Sequence, residues 1–449
     1  MKTKNVREVA FEALLKIENE EAYSNLLVNS VMKQGIINEK DAGLFTEIVY
    51  GTVQRKKTLD FFLRQYLMKK IKKKDEWVLT LLRMSLYQMV YLERIPDRAI
   101  IYEAVQIAKK KGHRGLASIV NGILRNVQRK GLPEFNSIQN HVEQLSVMYS
   151  HPTWLVAQWI KQYGIETTIK ICKANLERAP VTARVNVSKT SVSEVIERLE
   201  MEGVIAQKGN LSIEAIEVKH GNLFATDVFK QGLVTVQDES SMLVGRAVDP
   251  QKGETVLDCC AAPGGKTTHL AELMNDEGEI IALDIYEHKV NLIEQQIERL
   301  QISSVKTKVV DAREAQQNFL NESFDRILVD APCTGFGVLR RKPDIKWTKS
   351  EQDVGHMSSI QKEILHSVAP LLKKGGTLIY STCTIEAREN EQIIDSFLET
   401  HVDFSRDERL CERLPEKLLS YCEVERGEVQ ILPHYFQSDG FYIAALRKN

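Results

Sequence analysis

The chain has 449 residues, 43% hydrophobic and 27% charged, with a formal net charge of −1. This is the composition of an ordinary globular protein with room for about three domains. No run of 18 apolar residues occurs, which argues against a membrane-spanning helix. No apolar block of signal-peptide length follows Met1–Ala10, because Glu12 and Lys16 flank Leu14 and Leu15. The seven cysteines are odd in number and form no C-x-x-C pair, and Cys259 and Cys260 are direct neighbours. That pattern predicts reduced thiols in a cytoplasmic protein, with neither a disulfide frame nor a metal site.

Charge is unevenly spread. Residues 1–130 hold 25 Lys and Arg against 14 Asp and Glu, while the remainder holds 35 against 47. A basic module able to meet phosphates, joined to an acidic body, is the expected organisation. The densest basic run is Lys69, Lys70, Lys72, Lys73 and Lys74. By itself, such a run is as well explained by a solvated loop or helix end.

In chain order, Val6, Val9, Ala10, Ala13, Leu14 and Ile17 recur at helical spacing, as do Leu79, Leu82, Leu86, Met89 and Val90. Strand-type alternation is absent there, so an all-α bundle is predicted over residues 1–139. The Gly-Leu-Pro signal at Gly131 breaks the pattern. A helix follows over Pro152–Tyr163, with Trp154, Leu155 and Trp159 on one side. Val181–Val187 then alternates, Ser191–Met201 looks helical and Leu233–Val236 is apolar and β-branched. Residues 140–224 therefore read as a small α+β module of a shape that some RNA-binding domains use.

From residue 225 to 449, strands and helices alternate. The predicted strands are Thr255–Asp258, Ile280–Asp284, Lys308–Val310, Arg326–Asp330, Thr377–Ser381 and Tyr442–Leu446. The clearest helices are Glu287–Leu300 and Glu351–Leu372. This rhythm predicts a Rossmann-like α/β domain with a mostly parallel sheet.

The stretch after the first of these strands, Cys260-Ala261-Ala262-Pro263-Gly264-Gly265-Lys266, is a small-residue turn opening a helix. Small residues let a ligand approach the backbone, and the helix start offers N–H groups. A phosphate loop would need a glycine where Cys260 stands, and a dinucleotide fingerprint would need G-x-G-x-x-G. Both patterns fail. A third option is S-adenosylmethionine, which needs a close turn and a few carboxylates. Asp284, Asp311 and Asp330 stand at the ends of successive strands, where α/β sheets bind ligands. Any one of them alone is as well explained as a helix cap.

Cys333, in Asp330-Ala331-Pro332-Cys333, and Cys383, in Ser381-Thr382-Cys383, also follow strand ends. Cys172, Cys411 and Cys422 read as small buried hydrophobes. Together with the 260–266 turn, these two cysteine motifs closely resemble RNA cytosine-5 methyltransferases. The resemblance implies S-adenosylmethionine as cofactor, held by Cys260–Lys266, Asp284, Asp311 and Asp330. It also implies that Cys383 is the nucleophile and that Cys333 helps release the methylated base. Carbon 5 of cytosine is too weak a nucleophile to take a methyl group unaided, and a thiolate adding to carbon 6 activates it. The thiolate is the attacking form, so a lowered thiol pKa is expected. The segment Arg340–Trp347 also looks like the family's, and its cations and Trp347 suit RNA phosphates and bases.

Arg83–Gln88, Ile95-Pro96, Tyr102–Lys109 and Val120–Arg125 resemble the NusB fold, a helical RNA-binding domain. A NusB-like domain ahead of this methyltransferase is the layout of the bacterial 16S ribosomal RNA (cytosine-5)-methyltransferase B family. The partner this implies is 16S ribosomal RNA, and the protein is expected to act as a monomer. Two other readings are an RNA-binding factor with an inactive body, opposed by the intact cysteine pair, and a dehydrogenase, opposed by the missing glycine fingerprint.

Overall fold

The computed structural model describes residues 5–20, 23–67, 75–421 and 426–449. The Lys69–Lys74 run and Cys422 lie outside the described residues. Two compact units form: Met1–Glu177 with Leu339–Lys349, and Arg178–Val338 with Ser350–Asn449. Among the described residues no helix is long and apolar enough to cross a membrane.

The first unit is helical. Its opening helix, Val6–Glu20, buries Val6, Val9, Ala10, Ala13, Leu14 and Ile17 along one stripe, as their spacing requires. The helix Trp77–Tyr91 is buried almost all round, from Thr80 to Gln88. A helix of that kind is central, and Leu81, Leu82 and Leu86 share its core with Phe45, Ile48 and Leu124 from other helices. Arg83 tolerates this position because Glu18 and Asp60 both accept from its guanidinium. Gly51 is needed for close packing: a Cβ there would lie 1.9 Å from the Tyr87 ring. The helix Arg114–Lys130 stops at Gly131, whose φ is 79°. The helix predicted to end at Tyr163 runs on as Thr153–Ala174, with a kink at Gly164, where φ is 76°.

Leu339–Lys349 corrects one expectation. Its sequence points Lys346 and Trp347 toward RNA. Instead, Lys346 is 1% exposed. Its Nζ donates to the carbonyl of Gln54 at 2.9 Å, and the Trp347 indole donates to the carbonyl of Val53 at 2.7 Å. Both acceptors end the helix Ala42–Gln54, where carbonyls lack intrahelical donors. Ser24 and Asp344 are also hydrogen-bonded. Burial pulls the Lys346 amine down to about 7. Of the cations in this segment, Lys342 remains exposed.

The second unit holds two sheets. The smaller is antiparallel, in the order β2-β3-β1-β4: β1 is Val181–Val185, β2 Ile205–Lys208, β3 Ala215–His220 and β4 Val234–Val236. The helix Val192–Met201 packs Val195 and Leu199 against it.

The larger sheet contains β5 (Thr255–Asp258), β6 (Glu279–Asp284), β7 (Val305–Val309), β8 (Phe324–Asp330), β9 (Leu372–Thr382), β10 (Phe404–Arg406), β11 (Glu428–Ile431) and β12 (Phe441–Lys448). Its order is β10-β12-β9-β8-β5-β6-β7, with β11 also beside β12. β5 to β9 pair in parallel, whereas β12 is antiparallel to its neighbours. The two-residue period sorts the strands onto two buried faces. Leu257, Leu283, Ile327, Val329 and Tyr380 pack on one side with Ile364 and Phe397. Val256, Ile280, Leu328 and Ile379 pack on the other with Leu243 and Leu270. The strand order reverses between β5 and β8, so their carboxyl ends open the crevice where such sheets bind ligands.

The two sheets are tied by Arg184 of β1, which is fully buried. Its guanidinium makes two 2.9 Å bonds to Glu272 on the helix Gly265–Leu273 and donates to the carbonyl of Gly265 at 2.8 Å. Stripping one member from a buried pair costs about 3–5 kcal/mol, so this pairing fixes the small sheet against the helix that follows the 260–266 turn.

Candidate active site

The 260–266 turn links β5 to the helix Gly265–Leu273. Ala261 N–H donates to the carbonyl of Leu283 at 2.8 Å, which pins the turn to the end of β6. Gly264 closes it at φ 98°, and a Cβ there would stand 3.2 Å from the Cα of Ile293. The Ala262–Pro263 peptide is cis.

The strand-end aspartates take different roles. Asp284 ends β6, is 7% exposed and accepts from the N–H of Tyr286 at 3.3 Å. Asp311, beyond β7, is bound by Arg313 through both carboxylate oxygens and caps the turn Ala312–Glu314. The hydrogen bond from Arg313 holds its carboxyl below the ordinary value. The capping role is therefore real for Asp311, although it still lines the cavity described next. Asp330 ends β8, accepting from Lys266 Nζ and Ser381 Oγ, each at 2.8 Å.

A cavity of about 260 Å³ collects Cys260, Asp284 and Asp311 with Tyr286, Ile360 and Ile364. It offers carboxylates at one part and aliphatic side chains at another, a fit for the diol and the flat base of a nucleoside. Of the predicted residues, Ala261, Ala262, Pro263, Gly264, Gly265, Lys266, Asp330, Cys333 and Cys383 are not among those that line it.

The two cysteines meet. Cys333 follows β8 and Cys383 follows β9, and their sulfurs are 3.4 Å apart. The Cys333 thiol is pushed well above its ordinary value, first by its hydrogen bond to Cys383 and then by burial. The lowered pKa expected of an attacking thiol therefore does not apply to Cys333. Nor does it apply to Cys260, which burial and the neighbouring Asp258, Asp330 and Asp284 push well up. Burial pulls the Lys266 ammonium down, but Asp330, Cys383 and Asp258 more than offset this and hold it above the usual lysine value. Lys266 thus remains a cation whose charge acts on Cys383. It also stands 5.1 Å over the Phe441 ring.

Two residues of the site carry no motif in the sequence. Asp258 ends β5, fully buried, and accepts from Thr267 Oγ1 at 2.7 Å. Burial, with help from Asp330, pushes its carboxyl up to about 7. The strand-end rule that picks out Asp284 and Asp330 is the signal that could have found it. Arg184 gives no such signal, because only the meeting of the two sheets makes it part of the site's support.

Residues 246–447 match the family described as 16S rRNA methyltransferase RsmB/F. Residues 4–129 match the NusB family, and residues 151–223 match the RsmF/B-like, ferredoxin-like domain. The probable ribosomal RNA small subunit methyltransferase B of Bacillus subtilis (strain 168) is 50% identical over 448 residues, covering all of both chains. The chain belongs to this methyltransferase family. The ribosomal RNA small subunit methyltransferase B of Proteus mirabilis (strain HI4320) is 34% identical, again over the full length of both. Among solved structures, PH0851 aligns over 99% of each chain with a TM-score of 0.84 and 28% identity. A methyltransferase homolog protein from Pyrococcus horikoshii covers 70% of this chain and all of its own, with a TM-score of 0.59 and 28% identity. The three matched regions follow the order expected for the family: NusB-like bundle, small α+β module and Rossmann-like methyltransferase.

Proposed function

We propose that this protein methylates carbon 5 of a cytosine in 16S ribosomal RNA, using S-adenosylmethionine and a covalent cysteine adduct. The observation that carries this reading is the pair of sulfurs 3.4 Å apart at the carboxyl ends of β8 and β9. A single buried thiol has many explanations. Two thiols in contact beside a nucleoside-sized cavity suit a reaction that must both form and break a carbon–sulfur bond.

When bound, S-adenosylmethionine supplies an electrophilic methyl carbon on a sulfonium. Asp284 would take the ribose hydroxyls and Asp311 would stand beside the base, with Cys260 opening the turn onto the cavity; the rest of the turn and Asp330, outside the cavity's lining, would support it from behind. Cys383 attacks carbon 6 of the cytosine, and the electron pair displaced to carbon 5 takes up the methyl group. Transfer of the carbon 5 proton to water then re-forms the ring double bond and expels the Cys383 thiolate. Cys333, whose thiol is pushed up by the contact with Cys383 and also by burial, assists this release by donating a hydrogen bond to the departing Cys383 sulfur. Lys266 steadies negative charge on Cys383 and orients Asp330. The target base must leave its stack for any of this to occur.

The test is to supply S-adenosylmethionine labelled on its methyl carbon with unmodified 16S ribosomal RNA, then to digest the RNA to nucleosides. The expected product is labelled 5-methylcytidine. Label on another base, or on another atom of cytidine, overturns the reading.

A further inference from the structure

The two cysteine loops come from strands whose motifs are 50 residues apart, yet one dipeptide grips both. Glu389 and Asn390 are fully buried. The Glu389 carboxylate accepts from the N–H of Thr334 at 2.9 Å and from the Thr334 hydroxyl. It also accepts from Gln361 Nε2 at 3.1 Å, and that same amide nitrogen donates to the carbonyl of Pro332 at 2.8 Å. Glu389 thus holds the residues on either side of Cys333. The next residue does the same for the other thiol. Asn390 Oδ1 accepts from the Thr382 hydroxyl at 2.6 Å, and Asn390 Nδ2 donates to the carbonyl of Thr384 at 3.1 Å. The Thr334 and Thr384 hydroxyls meet at 3.1 Å between the two loops. From behind, the Tyr380 hydroxyl donates to the carbonyl of Glu389 at 2.6 Å, and Asn390 Nδ2 donates to Gln430 Oε1 at 2.8 Å.

We propose that Glu389 and Asn390 are positioning residues for the methyl transfer, setting the separation of Cys333 and Cys383 through the residues that flank each thiol. The proposal rests on the two-cysteine reading above. The pair leaves each loop one position relative to the other, in a site where a 1 Å misplacement costs roughly 100-fold in rate. The bonding is specific to the chemical groups. Both N–H donors, from Thr334 and Gln361, bond one Glu389 oxygen, and the other oxygen meets the Thr334 hydroxyl. A Gln amide could keep its oxygen toward the two donors and give its N–H to the hydroxyl, so it is Glu389→Ala that removes the grip.

The experiment uses the full chain and two readouts. The first needs no RNA: the purified protein is exposed to diamide, which takes two electrons and two protons from a thiol pair. The rate of Cys333–Cys383 disulfide formation is then followed by peptide mass spectrometry. The second compares kcat for RNA methylation with S-adenosylmethionine Kd. Glu389→Ala and Thr334→Val should slow disulfide formation by about tenfold and lower kcat by roughly 100-fold, with cofactor Kd within about twofold of wild type. Thr334→Ser, which keeps the hydroxyl, should restore both. If Glu389→Ala does not fold, the Thr334 pair still decides the matter. Unchanged disulfide rates overturn the proposal. So does a rise in cofactor Kd in step with the loss of kcat, which would mean a general loosening of the site. The disulfide arm is independent of the reaction, so it reads correctly even if Cys383→Ala retains methylation and the catalytic reading falls.

Discussion

Replacing Asp258 by Asn should make the stability of the methyltransferase unit less dependent on pH. The carboxyl is fully buried at the end of β5, and its pKa stands at about 7 against 3.8 for the free group. Below the unfolded value both states are protonated, and the neutral carboxyl contributes its full stability. As pH rises from about 4 toward 7, the unfolded chain ionises and the folded one does not, so stability is lost until the folded carboxyl ionises too. Three pKa units at 1.36 kcal/mol each give a loss of about 4 kcal/mol, complete by about pH 8. Asn has no charge to bury, and its side-chain oxygen can still accept from Thr267. Relative to wild type, Asp258→Asn should therefore gain about 4 kcal/mol between pH 4 and pH 8. Trp77, Trp154, Trp159 and Trp347 all belong to the helical unit, so tryptophan fluorescence does not report on this site. Hydrogen exchange of the peptide covering Thr255–Asp258, with wild type and variant compared at each pH, does. An equal difference in protection at pH 4 and pH 8 would refute the reasoning.

Asp284→Ala removes the carboxylate assigned to the ribose hydroxyls, and loss of such charge-assisted bonds costs about 1.5–3 kcal/mol, or roughly one to two decades of cofactor Kd; unchanged affinity by calorimetry removes Asp284 from the site. Lys346→Met removes an amine whose pKa burial lowers from 10.5 to about 7. The wild type loses stability as pH falls from 10 to 7, because the unfolded lysine protonates while the buried one resists. The stability difference between wild type and variant, read from tryptophan fluorescence in denaturant, should therefore shift by about 4 kcal/mol across that range; a pH-independent difference contradicts this. Lys109, Lys111 and Arg114 are exposed around the end of the helix Asp97–Lys111. Reversing them to Glu should weaken RNA binding and flatten its salt dependence by about 0.7–0.9 for each phosphate no longer neutralised, whereas an unchanged salt slope would place the RNA elsewhere.

How much of the molecule is legible in its sequence depends on which forces a residue answers to. The parallel strands announce themselves because both faces are buried and each ends at a polar crevice; β5 is both predicted and observed at Thr255–Asp258, and the helix Glu287–Leu300 keeps its predicted ends. The strand β7 is predicted as Lys308–Val310 but runs over Val305–Val309 at the sheet edge, where mixed exposure blurs the apolar signal. β2 gives no prediction for the same reason, since Ile205 is 58% exposed. The cysteine pair and the strand-end carboxylates are visible as types of residue at strand ends. Their separation is not, because it depends on which strands become neighbours. Lys346 and Trp347 show the limit most plainly. A cation beside an aromatic ring suits nucleic acid, yet it equally suits a helix end with carbonyls to cap, and only the fold supplies those of Val53 and Gln54. Glu389 and Asn390 are ordinary polar residues in the sequence, and become more only where two loops converge on them.

In the proposed reaction, Cys383 forms the bond to RNA and Cys333 helps break it. The most direct measurement is a denaturing gel of wild type, Cys333→Ala, Cys383→Ala and the double variant after incubation with labelled RNA and S-adenosylmethionine. Both single variants should turn over poorly, so turnover alone does not separate them. An RNA-linked band, resistant to heat and detergent, is expected in Cys333→Ala and in neither variant lacking Cys383. A linked band in Cys383→Ala but not in Cys333→Ala would reverse the two roles. Folded, cofactor-binding single variants that trap no RNA at all would contradict the two-cysteine mechanism.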